Sequence, residues 1–467
     1  MLKFFRNNFL LIILFGIGIF LAGYKLTTSP PTWIDEGIIT QVAQNVTRSG
    51  NYGVQVAPGQ FISAGFVTTG PSVILPLALA FKFFGQHILV SRILMVLFIL
   101  LLLISVIFIV IELWEMPGII ASFALIVTFS PLYGLGRNVL GEVPGVAFLL
   151  FGLALLARAA RTKQNLSFFL AGLSFGLAMT AKPLFLIFIL PALVIAFIIH
   201  RPMSFTFKQI CLFTLSILFP IMFWFGLQFQ SDSIHDILSI YSGNPDGVSV
   251  LNIALDNFGR LAHEPQVIYA TLLSITAVLG YWLRRRKGVV TLSESVLILC
   301  VIFNMIIYFK SRGYYRYFFP AEILTLIYLL TSLKELISYK LGNAIIIALI
   351  TFQTYQTLFI AWVPEHYGSS KNIVIAKELN NLPVGPILFW QTPELVPFYL
   401  YDNYYQYIKF ADNIIRGEKE SRNALLSHVP EIVIVPTDLV SGEAAVSMGY
   451  KYEREFDRYT ILELKNK

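Results

Sequence analysis

Four short stretches of this chain place ionisable side chains beside long apolar runs, where charge is costly and its persistence points to function. The first is Thr-Trp-Ile-Asp-Glu-Gly, in which Asp35 and Glu36 are adjacent. Neighbouring carboxylates repel, and a partly buried carboxyl group holds its proton more tightly, the setting in which one serves as a general base near neutral pH. The plainer alternative is an acidic start for a helix over 37–48, since negative groups favour a helix N-terminus. In the second stretch, Gly-Arg-Asn-Val-Leu-Gly-Glu-Val-Pro-Gly, Arg137 and Glu142 stand where they could pair with each other or face a common ligand. In the third, Met-Thr-Ala-Lys-Pro-Leu, Lys182 is either a phosphate ligand or an ammonium snorkelling to the headgroups. The fourth, Lys-Ser-Arg-Gly-Tyr-Tyr-Arg-Tyr-Phe-Phe-Pro, interleaves Lys310, Arg312 and Arg316 with Tyr314, Tyr315 and Tyr317. Arginine forks and tyrosine hydroxyls suit a phosphodiester or pyrophosphate, and aromatic faces suit a prenyl chain or a sugar ring. An aromatic belt touching anionic lipid is the alternative.

The elements that must position these groups are apolar helices. Of 467 residues, 56% are hydrophobic and 13% charged, and the mean hydropathy is +0.72; a soluble protein carries roughly twice that charged fraction. The 40 phenylalanines suit helices that face lipid tails. The net charge of +7 lies mostly in short loops between apolar runs rather than along one face, so membrane topology accounts for it and a nucleic-acid partner is not expected. Cys211 and Cys300 fall inside apolar stretches, which indicates neither a disulfide framework nor a thiolate metal site.

Lys3 and Arg6 precede an apolar run over 8–26 that lacks a small-x-small cleavage site and would rise about 28 Å as a helix, so it reads as an uncleaved first span starting in the cytoplasm. Ten more spans are expected near 93–111, 118–135, 144–158, 166–181, 183–199, 209–228, 266–283, 292–309, 318–333 and 343–362. With alternation, the inward segments hold about 13 Lys/Arg in roughly 43 residues, against about 9 in roughly 119 outward residues. All four clusters then face outward, as does everything after Trp362. The run 71–84, interrupted by Pro76 and Lys82, is only about 21 Å long as a helix and reads as an interfacial helix.

The expected fold class is therefore a polytopic α-helical membrane protein. Residues 1–365 form a membrane module of about eleven helices, with 27–92 as an outward loop, and 370–467 form a small α/β domain outside the cytoplasm. In that domain Thr392 is expected to cap a helix beginning at Pro393, and 432–435 reads as a buried strand.

One acidic loop able to activate a hydroxyl and three basic positions able to neutralise a lipid phosphate, all on one side, is the layout needed to move a sugar from a lipid phosphate to an external acceptor. At this point the sequence resembles the GT-C membrane glycosyltransferases, in the branch of protein O-mannosyltransferases and lipid A aminoarabinose transferases, over most of 1–365. The resemblance rests on motif order: Asp35-Glu36 after the first helix, a Gly-Pro apolar helix ending Lys-Phe-Phe-Gly at Gly70 to Gly85, and Arg-x-x-x-x-Glu-x-Pro at Arg137, Glu142 and Pro144. Thr-x-Lys-Pro follows at Lys182, and Arg-Tyr-x-x-Pro at Arg316, Tyr317 and Pro320.

The resemblance implies that Asp35 is the base of an inverting displacement at the anomeric carbon, with Glu36 beside it and Glu142 as a second acidic group near the donor or acceptor sugar. It implies that Lys182, Arg312 and Arg316, together with Arg137, Tyr314 and Tyr317, bind the donor phosphate. Gly37 and Ile38 depart from the family, whose members often carry Arg or a Tyr-Ala pair after Asp-Glu. Some family members hold a metal near the outer loop; His263 and Glu264 are the candidate pair, too few for a site, and no metal is assigned although a divalent ion fits the family. The implied partners are a polyprenyl-phosphate-linked sugar, a lipid, glycan or protein acceptor, and membrane lipids, at the plasma membrane with the N-terminus inside. Two rivals stand beside this reading: a transferase of whole lipid-linked oligosaccharides, and a secondary transporter, which would place ionisable groups near the bilayer midplane.

Overall fold

The computed structural model describes residues 9–114, 116–200, 205–229, 249–311, 315–360, 370–382, 385–401, 403–407, 429–439 and 450–464. Eleven apolar helices correspond one for one to the expected runs: α1 (Phe9–Gly23), α4 (Ile88–Leu113), α5 (Met116–Val127), α7 (Glu142–Thr162), α8 (Asn165–Ala181), α9 (Pro183–Ile199), α10 (Phe207–Gln228), α12 (Pro265–Arg286), α13 (Leu292–Lys310), α14 (Phe319–Leu336) and α15 (Tyr339–Tyr355). Among the described residues, seven helices are long and apolar enough to cross a membrane, counting α14 from the turn at Tyr315 and α15 through Ile360; α1, α5, α8 and α9 are shorter. The expected span over 118–135 is broken: α5 stops at Val127, and a separate short helix, α6 (Pro131–Gly136), begins on a proline, which lacks the N–H needed to continue the preceding helix.

Between α1 and α4 the chain forms α2 (Ile34–Ser49), a hairpin of β1 (Gly53–Ala57) and β2 (Gln60–Ser63), and α3 (Pro71–Phe84). α3 is two-sided, with Val73, Ile74, Leu77 and Phe81 buried and Leu79, Phe83 and Phe84 exposed, as an interfacial helix requires. α2 starts earlier than expected, so that Asp35 and Glu36 lie in its first turn rather than ahead of it. Asn45, in a sequon-like Asn-Val-Thr, is buried and donates to the Gly53 carbonyl (2.8 Å).

After α11 (Val250–His263), α12 packs against α14, while α7 packs against both α4 and α8. Capping boxes start α10 (Thr206 with Gln209) and α13 (Thr291 with Glu294), each satisfying two backbone donors. The C-terminal part has α16 (Lys371–Asn380) and a five-stranded sheet ordered β4-β3-β5-β7-β6, from β3 (Ile387–Trp390), β4 (Tyr404–Tyr407), β5 (Ile432–Pro436), β6 (Tyr450–Phe456) and β7 (Tyr459–Leu464). β3 runs parallel to β4 and β5, and the β6–β7 hairpin joins antiparallel through β7. β5 is buried on both faces, so Ile432 to Val435 read as one apolar run, as expected. The expected cap at Thr392 is not formed: Pro393–Phe398 is a 3₁₀ turn, and the Thr392 hydroxyl donates to the Ile434 carbonyl (3.3 Å).

Candidate functional site

Successive residues on a helix point about 100° apart, so adjacent carboxylates need not share surroundings. Glu36 faces inward. It is fully buried and forms a salt bridge with Arg92 at the start of α4 (3.2 Å), and it also accepts the Val139 amide (3.3 Å). Arg92 is completed by Asn138 Oδ1 (3.0 Å) and the Leu26 carbonyl (3.2 Å). The Glu36 contacts are internal, and Asp35 is the partly exposed member of the pair. Asp35 is 24% exposed, and its Oδ2 accepts from Arg316 Nη1 (2.8 Å).

Arg316 belongs to the 3₁₀ turn Tyr315–Phe318 that leads into α14. Its guanidinium also stands 3.9 Å from the Glu142 carboxylate and within 6 Å of the Trp33 and Tyr317 rings (5.6 and 5.7 Å). Glu142, the first residue of α7, is fully buried and forms a hydrogen-bonded ion pair with Lys182. The Lys182 ammonium sits 5.4 Å from the Tyr317 ring. Glu142 Oε2 is buried and has no hydrogen-bond partner among the described residues, an acceptor left unsatisfied within the protein.

Backbone contact fixes Lys182. A Cβ on Gly70 would fall 2.2 Å from the Thr180 carbonyl oxygen, and one on Gly141 would fall 2.3 Å from that of Ala181. The Gly70 amide donates to the Ala181 carbonyl (3.1 Å). The interfacial helix α3, the start of α7 and the α8–α9 junction therefore converge where Lys182 emerges. Beside Asp35 lies a cavity of about 50 Å³ lined by Ile38, Ile39, Phe66, Val67 and Thr68.

The structure thus gathers Asp35, Glu142, Lys182, Arg316 and Tyr317 at one end of the bundle, from segments more than 280 residues apart. Arg137 does not pair with Glu142. It is buried and donates to the Tyr24 and Ser29 carbonyls (2.5 and 2.6 Å), pinning the exit of α1. Arg312 and Tyr314 lie outside the described residues. Glu264 accepts from Arg260 (2.6 Å), and among the described residues no group of three His, Cys, Asp or Glu could hold a metal ion. Arg92, Asn138 and Trp33 were missed by sequence reasoning. A charge near the start of an apolar helix was the available signal for Arg92; nothing marked the other two.

The fold is that of the GT-C membrane glycosyltransferases, and the protein is an integral membrane protein. It is similar to ArnT from Cupriavidus metallidurans bound to undecaprenyl phosphate (TM-score 0.63, 11% identity, 98% of each chain). It is also similar to the oligosaccharyltransferase AglB from Archaeoglobus fulgidus, both with an inhibitory peptide and a dolichol-phosphate (TM-score 0.54, 11% identity, 99% of this chain and 75% of that one) and in the apo form (TM-score 0.57, 10% identity, 100% and 75%). Residues 69–225 match the family model of dolichyl-phosphate-mannose-protein mannosyltransferase. The expected resemblance is borne out by both comparisons, since the matched family and these structures are glycosyltransferases of this type. No curated protein sequence matches the chain.

Proposed function

We propose that this protein transfers a sugar from a polyprenyl-phosphate donor to a lipid, glycan or protein acceptor outside the cytoplasm, with inversion at the anomeric carbon. The observation that carries the reading is the Asp35–Arg316–Glu142–Lys182 cluster, two carboxylates and two cations interleaved at one end of an apolar bundle. In support, ArnT was solved with undecaprenyl phosphate and AglB with a dolichol-phosphate, donor carriers of the class proposed.

In the proposed reaction the acceptor hydroxyl, entering beside Ile38 and Val67, loses its proton to Asp35 as its oxygen attacks the anomeric carbon. The bond from that carbon to the phosphate oxygen breaks, and the polyprenyl phosphate leaves carrying the electron pair. Lys182 and Arg316 neutralise the charge that grows on the phosphate, where low polarity strengthens the attraction. The Asp35 carboxylate is bonded to Arg316, so capture of Arg316 by the donor phosphate leaves that oxygen available to the acceptor hydroxyl. Glu142 Oε2 accepts a sugar hydroxyl. Glu36, Arg92 and Arg137 hold the backbone on which these groups stand.

Residues 1–365 act as the transferase module and 370–467 as an external domain. An odd count of eleven spans, read from the apolar runs, together with the basic residues of the inner segments, supports an inner N-terminus and a plasma-membrane setting with the site outside. The test is transfer in proteoliposomes: Asp35→Asn should lower it by about 10²–10⁴-fold while insertion and abundance stay normal, and a variant with wild-type activity would refute the base assignment. Mass spectrometry of envelope lipids, glycans and proteins with and without the protein should reveal the acceptor as a species lacking one sugar.

A further inference from the structure

We propose that the C-terminal domain sets the position of the helix that carries Asp35, with Thr32, Gly37 and Glu394 as positioning residues; this rests on the assignment of Asp35 as the base.

Three consecutive residues in the first turn of α2 meet three different neighbours. Asp35 meets Arg316 in the site, Glu36 meets Arg92 in the bundle, and Gly37 meets the 3₁₀ turn Pro393–Phe398 of the C-terminal domain. A Cβ at Gly37 would lie 1.7 Å from the Pro393 carbonyl oxygen and 2.2 Å from its carbon. Backbone lies directly on backbone there, so no side chain fits unless helix and turn separate. The same turn takes a hydrogen bond from two residues ahead of the helix, the Thr32 hydroxyl donating to the Glu394 carbonyl (2.8 Å). Further contacts extend the grip at both ends of α2. Asn372 donates to the Pro30 carbonyl (2.9 Å), Tyr404 donates to Gln44, and Arg48 donates to the Tyr401 carbonyl (3.4 Å).

The turn is itself anchored to the sheet. Glu394 Oε1 accepts from the hydroxyl of Tyr459, the first residue of β7 (2.8 Å), and from Arg458 in the turn before it (2.9 Å). Burial and the adjacent Glu394 carboxylate push the Tyr459 phenol above the ordinary tyrosine range, which keeps it a hydrogen-bond donor. A continuous path of contacts therefore leads from the β6–β7 hairpin through Glu394 and Pro393 to the turn of α2 bearing the base. The bundle holds that turn through Glu36 and the external domain holds it through Gly37, which leaves Asp35 as the face presented to substrate. Gly37, a departure from the resembled family, is the residue that this docking demands.

The test compares Thr32→Val, Thr32→Ser and Gly37→Ala in the full chain, reading transfer kinetics and hydrogen exchange. A displacement of about 1 Å costs on the order of 100-fold in rate. Gly37→Ala is accordingly expected to lower kcat about 100-fold with donor KM within about twofold, and Thr32→Val about 10-fold. Thr32→Ser, which keeps the donor, should stay within about twofold of wild type. Exchange should quicken over residues 34–49 and stay unchanged over 165–199. Unchanged exchange in Thr32→Val, equal rates for the Val and Ser variants, or a rise in exchange throughout the chain would each overturn the proposal. The exchange readout needs no turnover, so it stands apart from the Asp35→Asn test of the reaction.

Discussion

Charged clusters occupy both ends of the helix bundle, and they are built differently. At the end opposite the site, Glu294 uses both oxygens within the protein: one accepts Arg284 (3.2 Å) and Tyr328 (3.4 Å), the other the Thr291 amide (2.8 Å). Arg284 and Lys287 also share Glu335, and His200 meets Ser295 (2.6 Å), so α12, α13 and α14 are tied together. At the site end, Arg316 lies between two carboxylates on different segments, Glu142 keeps an unsatisfied oxygen, and Asp35 is partly exposed. A closed network holds helices, while one with a shared cation and an unsatisfied acceptor has interactions to offer a ligand.

This contrast predicts a graded series. Asp35→Asn should lower transfer by about 10²–10⁴-fold, the range for a lost general base, read in proteoliposomes at saturating donor. Lys182→Ala should cost about 10²–10³-fold, because one donor to the growing charge is lost. Glu36→Gln should act first on stability: breaking a fully buried pair costs roughly 3–5 kcal/mol, to be seen as a lowered Tm in detergent. Glu335→Gln should change the rate by less than about twofold, since its partners Arg284 and Lys287 lie at the far end of the bundle. If Glu335→Gln matched Lys182→Ala in its loss of transfer, the distinction between the two ends would fail.

Much of this was legible before the structure. Apolar run length gave the eleven apolar helices, because a bilayer fixes how many residues a span needs, but neither the break after Val127 nor α11. Asp35, Glu142, Lys182 and Arg316 were legible because a charge beside an apolar run is rare and costly. Their sorting was not. Spacing in sequence suggested Arg137 with Glu142, whereas the fold gives Glu142 to Lys182 and sends Arg137 to the carbonyls at the α1 exit. Equally, the sequence could not separate Asp35 from Glu36, because their difference arises from Arg92, which long-range packing brings to one of them. The mistaken helical cap at Thr392 has the same origin, a local preference overruled by a tertiary contact with Ile434.

The central claim is a division of labour in one pocket, with Asp35 for proton transfer and Lys182 and Arg316 for the phosphate. Binding of a radiolabelled polyprenyl phosphate to the detergent-purified chain tests it without turnover. Asp35→Asn, which frees Arg316, should bind as tightly as wild type or tighter, while Lys182→Ala and Arg316→Ala should each bind about 10-fold or more weakly. Weakened binding in Asp35→Asn, with the two cation variants unchanged, would contradict the account.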